Sequence, residues 1–199
     1  MSTIIKLCGL RRLADADLAN EVRPDFAGVV LCRRFWRGID FELASAIHKR
    51  LAPQIPLVGV FVNDDFGTVL TALRHGVVDM VQLEGTESEE YIKDLMFATG
   101  KPVIKACEVT SPSATSGVEG TAANYLLFSN NIDEPFDWRL IKNIRRPYIL
   151  SGGLNADNIP YAIRQLHPWG IDLSSGVETN GIKDPDKVRA AVDVIRKLG

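Results

Sequence analysis

The chain has 199 residues, of which 46% are hydrophobic and 24% charged, with a formal net charge of −2. A single domain of this size buries roughly 70% of the surface its unfolded chain exposes, so it needs no disulfide or metal staple. The charge excludes bulk binding to nucleic acid, and the densest basic cluster, Arg33, Arg34 and Arg37, suits only a small anionic ligand.

No apolar run approaches the ~20 residues that span a bilayer, and Met1 to Lys6 lacks a signal-peptide layout. Three cysteines, Cys8, Cys32 and Cys107, form no CxxC pair, and three histidines form no HxH or HxxxH pair. The expectation is therefore a cytoplasmic protein with no membrane segment and no metal site.

Short β-branched runs alternate with stretches of helical period, which is the pattern of βα units around a parallel sheet. A strand is expected over Ile4 to Cys8, stopped by Gly9, and a helix over about Leu13 to Val22. Phe26 to Leu31 reads as the second strand, followed by a polar loop with Arg37 and a helix with Leu43, Ala46, Ile47 and Leu51 on one face. Pro56 to Val62 is continuously apolar, as in a strand buried on both faces. Asn63 or Asp64 is the expected cap of the third helix, whose stripe is Phe66, Val69, Leu70 and Leu73.

Met80 to Leu83 is the fourth strand, and Thr86-Glu87-Ser88-Glu89 has capping-box spacing before a helix with Tyr91, Ile92, Leu95 and Met96 inward. Pro102 to Ala106 is the fifth strand. Residues 108–120 then hold three serines, two threonines, a proline and two glycines, so a distorted segment replaces a helix there. Ala122 to Phe128 is the sixth strand, with a short helix capped by Asp137 behind it.

The last two strands each end in small residues. They are Pro147-Tyr148-Ile149-Leu150 before Ser151-Gly152-Gly153, and Gly170-Ile171-Asp172-Leu173 before Ser174-Ser175-Gly176. Such turns let backbone N–H groups close on an anion, whereas a ligand-free pair of tight turns is the plain alternative. A helix between them is capped by Asn155, and the final helix opens at Asp184-Pro185.

Eight strands at this spacing define an α/β fold, a single (β/α)8 TIM barrel over residues 1–199 with its fifth helix eroded or missing. An open doubly wound sheet would carry its phosphate loop after an early strand, whereas barrels often place it after strands seven and eight.

Chemistry in such a barrel sits at the C-terminal strand ends. Lys6 and Cys8 alternate onto one face, where a cation beside a thiol favours the thiolate and makes Cys8 a candidate base. Arg37 has the planar fork that clamps a carboxylate, although most loop arginines are solvated. Asp172 is a ligand contact or a cap, and Lys105 an ion pair inside the barrel.

Nearly the whole chain resembles the phosphoribosylanthranilate isomerase family of tryptophan biosynthesis. The resemblance rests on Lys6-Leu7-Cys8-Gly9-Leu10, Val58 to Asn63, Val81-Gln82-Leu83, Ile104-Lys105-Ala106, Phe136-Asp137-Trp138, Leu150 to Asn155, and Asp172 with Ser174 to Glu178. It implies an Amadori rearrangement of N-(5-phosphoribosyl)anthranilate without metal or cofactor, in a monomer or homodimer whose only ligand is a small phosphorylated substrate. Cys8 is implied as base, and Lys6, Arg37 and Asp172 as substrate contacts, with Arg37 on the anthranilate carboxylate. Gly152, Gly153, Ser175 and Gly176 are implied to hold the phosphate.

Two positions and one loop depart from the family, the loop being its glycine-rich stretch before Phe-Asp-Trp, which here is only Ser129 to Pro135 with no glycine. The family's general acid, an aspartate in a Leu-Leu-Asp pattern, matches Leu126-Leu127-Phe128, and its Val-Gln-Leu-His-Gly reads Val81-Gln82-Leu83-Glu84-Gly85. Glu84 is the preferred relocated acid, ahead of Asp133 and Glu134. The alternatives are an isomerase for another phosphorylated sugar and a non-catalytic binder of a phosphorylated metabolite.

Overall fold

Eight short strands dominated by β-branched and aliphatic residues supply one parallel ring. They are β1 (Ile4–Cys8), β2 (Phe26–Val30), β3 (Leu57–Phe61), β4 (Met80–Leu83), β5 (Val103–Glu108), β6 (Tyr125–Ser129), β7 (Tyr148–Leu150) and β8 (Gly170–Leu173). In the computed structural model they close in sequence order, with β8 returning to pair with β1. The structure describes residues 3–32, 34–109, 118–129, 138–141 and 144–199, with backbone only at 138 and 139.

Helices α1 (Leu13–Val22), α2 (Phe41–Arg50), α3 (Phe66–Arg74), α4 (Glu89–Thr99), α5 (Ile159–Leu166) and α6 (Pro185–Leu198) belong to the outer layer. A two-strand hairpin, β9 (Glu178–Thr179) with β10 (Ile182–Lys183), precedes α6. Among the described residues no α-helix follows β5 or β6. A 3-10 turn at Val118–Gly120 stands after the first and one at Trp138–Ile141 after the second. Of the 108–120 segment the described residues 108, 109 and 118–120 form no α-helix, while residues 110–117 and the expected cap Asp137 lie outside the described residues.

Period-two alternation sorts the strand side chains into two layers. Val58, Met80, Ile104, Ala106, Leu127 and Ile149 fill the barrel, while residues such as Leu7, Phe61, Leu83, Phe128 and Leu150 pack outward in the core shared with the helices. At the N-terminal strand ends, Tyr125 stacks on Trp169 (4.8 Å between centroids, 5° between planes), and Phe26 tilts against Tyr125 at 6.4 Å. This aromatic group floors the barrel.

Helix caps refine three expectations. Asp65 rather than Asn63 or Asp64 caps α3, its carboxylate accepting from the Thr68 amide at 2.9 Å. Asn63 instead adopts a left-handed φ of 53° and accepts from the Thr86 amide, fastening the loop after β3 to the loop after β4. Ser88 caps α4, not Thr86, and Asp184 caps α6 with proline behind it. Asn155 binds the amides of Asp157 and Asn158 one step ahead of α5, so Asn158 takes the cap position. Strand β6 begins at Tyr125, later than Ala122, because the carbonyls of Thr121 and Ala123 are taken by the Arg146 guanidinium.

Candidate active site

The barrel seam sets the first pair of groups. In the β1–β8 register Lys6 lies beside Asp172, and Lys6 Nζ donates to Asp172 Oδ1 at 3.0 Å. Ser151, just past β7, donates to the other carboxylate oxygen at 3.2 Å. Lys6 is fully buried. Burial opposes its charge, but Asp172 and Cys8 together outweigh burial and hold the ammonium above lysine's ordinary value. Asp172 is therefore a cavity-lining carboxylate tied to a lysine, not a helix cap.

Cys8 follows Lys6 on the same face and sits beside Gly28 of β2. A Cβ at Gly28 would stand 2.8 Å from Cys8 Sγ, so only glycine leaves room for the sulfur. Burial is the largest influence on the thiol and pushes its pKa up. The Lys6 charge pulls the other way without prevailing, while Asp172 and Glu84 add to the rise. Burial first, and then the Asp172 carboxylate that already pairs with Lys6, favour the thiol over the thiolate.

Glu84 comes immediately after β4, two positions beyond Gln82, so the two side chains share a face. Gln82 Nε2 donates to Glu84 Oε1 at 2.6 Å. Burial raises the Glu84 pKa against the pull of Lys6 and of Gln82. Cys8, Trp36, Arg37, Glu84, Ser151, Asp172 and Ser174 line one cavity of about 200 Å3 at the C-terminal end of the strands. Lys6 lies beneath that lining. A larger hollow of about 430 Å3, between Thr3, Arg146 and Trp169, lies at the barrel's other end, away from Cys8.

Arg37 reaches the cavity from the loop after β2. Its Nε and Nη2 donate to the two oxygens of Glu178 at 3.3 and 2.7 Å. Glu178 also takes Lys183 Nζ at 2.8 Å, and Lys183 donates to the Ser174 carbonyl at 3.0 Å. The Arg37 guanidinium lies 4.0 Å from the Trp36 ring centroid, and Arg11 approaches the same ring at 4.9 Å. Nη1 of Arg37 has no hydrogen-bond partner among the described residues.

The two glycine turns meet beside this cavity. Gly152 and Gly153 take φ values of 110° and 58°. A Cβ on Gly176 would fall 2.1 Å from the Leu154 carbonyl oxygen, so the turn after β8 packs its bare backbone onto the turn after β7. Among the described residues, none of the amides of Gly152, Gly153, Ser175 and Gly176 makes a hydrogen bond. Free N–H groups on glycine-rich turns are chemically suited to an anion.

Two expected placements change. Lys105 does form an ion pair, with Glu87 at 2.9 Å, but it points outward between the inward-facing Ile104 and Ala106. Phe128 likewise points outward, edge-on to Tyr148 at 5.3 Å. It therefore does not occupy a mouth position, and the mouth-facing residue at the end of β6 is Ser129, by alternation from Leu127. Asp133 and Glu134 lie outside the described residues. The sequence reasoning singled out neither Glu178 nor Lys183 for a role. Their signal was a carboxylate directly after the Ser-Ser-Gly turn and a lysine ahead of the α6 cap.

Fold and site define a (β/α)8 barrel whose mouth gathers thiol, carboxyl and guanidinium side chains, with two glycine turns after its last two strands. Residues 5–194 match the family model described as N-(5'-phosphoribosyl)anthranilate isomerase. An isomerase of that name from Endomicrobium trichonymphae is 40% identical over 98% of both chains. The phosphoribosyl anthranilate isomerase structure from Thermotoga maritima superposes with a TM-score of 0.90 at 32% identity, covering 100% of each chain. A second such structure, solved in complex with reduced 1-(o-carboxyphenylamino)-1-deoxyribulose 5-phosphate, gives 0.88 at 32% identity with the same coverage. The chain belongs to the phosphoribosylanthranilate isomerase family.

Proposed function

We propose that this chain converts N-(5-phosphoribosyl)anthranilate to 1-(2-carboxyphenylamino)-1-deoxyribulose 5-phosphate, as an isomerase of tryptophan biosynthesis. The observation that carries the reading is that Cys8, Glu84, Asp172 and Arg37 line one cavity beside an unspent backbone cradle. The cradle takes the phosphate through Gly152, Gly153, Ser175 and Gly176. Arg37, held by Glu178 and Trp36, offers its remaining N–H groups to the anthranilate carboxylate.

Glu84 is the general acid. Its raised pKa keeps it protonated nearer neutrality, where it gives its proton to the ribose ring oxygen and the ring opens to a protonated Schiff base. That new positive charge, added to Lys6, favours the Cys8 thiolate that burial disfavours. The Cys8 proton passes to solvent, the thiolate so formed removes the C2′ proton, and the enolamine gains a proton at C1′ as its C2′ hydroxyl loses one, giving the keto product. Asp172, fixed by Lys6 and Ser151, takes the bridging amine.

The unpaired thiols of Cys8, Cys32 and Cys107 suit a reducing cytoplasm. No described helix is long and apolar enough to cross a membrane.

The test is the fluorescence decay of phosphoribosylanthranilate with the purified chain and with Glu84→Gln and Cys8→Ser. Wild type should turn over and each variant should lose about 10²–10⁴-fold in kcat, the usual contribution of a positioned acid or base. Full activity in Glu84→Gln would remove Glu84 from the acid's role. An inactive wild type would overturn the reaction itself.

A further inference from the structure

We infer that Gln82 is the positioning residue that fixes the proton of Glu84 on the carboxyl oxygen left free for the substrate. This rests on Glu84 acting as the acid. Gln82 is 1% exposed on the inner face of β4, and its register neighbours are Val60 on β3 and Ile104 on β5. Both register neighbours are apolar, and among the described residues the amide's one hydrogen-bond partner is Glu84, to which Nε2 donates at 2.6 Å.

An oxygen that accepts this N–H cannot at the same time present a proton along it. The carbonyl oxygen of a neutral carboxyl is the better acceptor, so the Gln82 N–H on Oε1 favours the hydrogen of neutral Glu84 on Oε2. The arrangement carries a cost. Gln82 Oε1 is buried without a hydrogen-bond partner, the one such side-chain atom among the described residues. An unpaired buried carbonyl destabilises a fold, so the amide's place on β4 is not explained by stability.

The charged and titratable groups around Glu84 are Lys6 and Cys8 on β1, Asp172 on β8 and Glu87 beyond β4, with Arg37 across the cavity. β3 presents valines to it, and β5 presents Ile104 and Ala106. None of these groups depends on the Gln82 amide, so removing that amide isolates its effect.

Gln82→Met keeps the volume while deleting both the donor and the orphan carbonyl. Its Tm should equal or exceed that of wild type, kcat should fall on the order of tenfold, the rate equivalent of one hydrogen bond to a charged group, and KM should barely move. The alkaline limb of kcat should shift to higher pH, because the N–H that favoured the carboxylate is gone. Gln82→Glu, able to donate only when protonated, should recover kcat as pH falls. Wild-type kcat and an unmoved limb in Gln82→Met, or no acid recovery in Gln82→Glu, would overturn this role. If Glu84→Gln is fully active, the acid assignment fails first; if it is inactive while Gln82→Met is unchanged, only the present inference fails.

Discussion

Glu178→Gln tests whether the mouth depends on a shared buried carboxylate. The Glu178 side chain is 6% exposed and neutralises Arg37, 16% exposed, together with Lys183, 1% exposed. Removing its charge while keeping its shape leaves two cations facing one neutral amide. Breaking a buried pair in this way costs about 3–5 kcal/mol, and at about 2–4 °C per kcal/mol for a domain of this size Tm should drop by roughly 6–20 °C.

The pH dependence carries its own sign. Burial works against the Glu178 charge, but the bonds from Arg37 and Lys183 overcome it and hold the carboxyl below its ordinary value. The stabilisation is then present above the unfolded glutamate pKa and is lost as pH falls through the lower folded value. In Glu178→Gln that acid loss should vanish. Lys183 already titrates below lysine's ordinary value because it is buried, despite the pull of Glu178. Without that partner it should shed its proton more readily, so the deficit should narrow as pH rises toward the unfolded lysine pKa. Differential scanning calorimetry and urea unfolding from pH 3 to 10 would measure both limbs. A Tm within about 2 °C of wild type and a parallel pH curve would refute the buried network.

Gly176→Ala should weaken binding of inorganic phosphate by at least tenfold and destabilise the fold by about 1–3 kcal/mol, since the added Cβ meets a backbone carbonyl at 2.1 Å. Calorimetric titration with phosphate would register the first effect, and unchanged affinity would contradict the cradle. Phe128→Asp should unfold or cost about 3–5 kcal/mol, because it places an unpaired charge in the outer core beside Tyr148. Ser129→Asp should stay folded within about 1 kcal/mol and move the pH profile of turnover. The opposite ranking in thermal melts would overturn the orientation of β6.

How much of this was written in the sequence differs by element. Lys6 and Cys8 share a face through simple alternation, and the glycine turns announce themselves because only bare backbone closes there. β6 was harder. Leu126, Leu127 and Phe128 are apolar on both faces, so nothing in the run marks which residue looks inward, and a one-residue slip reverses the answer. The partnership of Arg37 with Glu178 spans 141 positions and leaves no periodic trace. Asn63 looked like a cap by residue type, yet the loop after β4 claims its side chain first. Gln82 was visible only as part of a motif, because its orphan oxygen depends on what β3 and β5 place opposite it.

The Lys6–Asp172 pair joins residues 166 positions apart. A ribosome makes the lysine near the start of the chain and its counter-charge near the end, so no growing intermediate shorter than β8 can satisfy the ammonium at the barrel's centre. Because an unpartnered charge there opposes closure, the ring should stay unsealed during synthesis until its last strand arrives. The groups that seat the mouth thus also time the closure of the ring, which waits for β8.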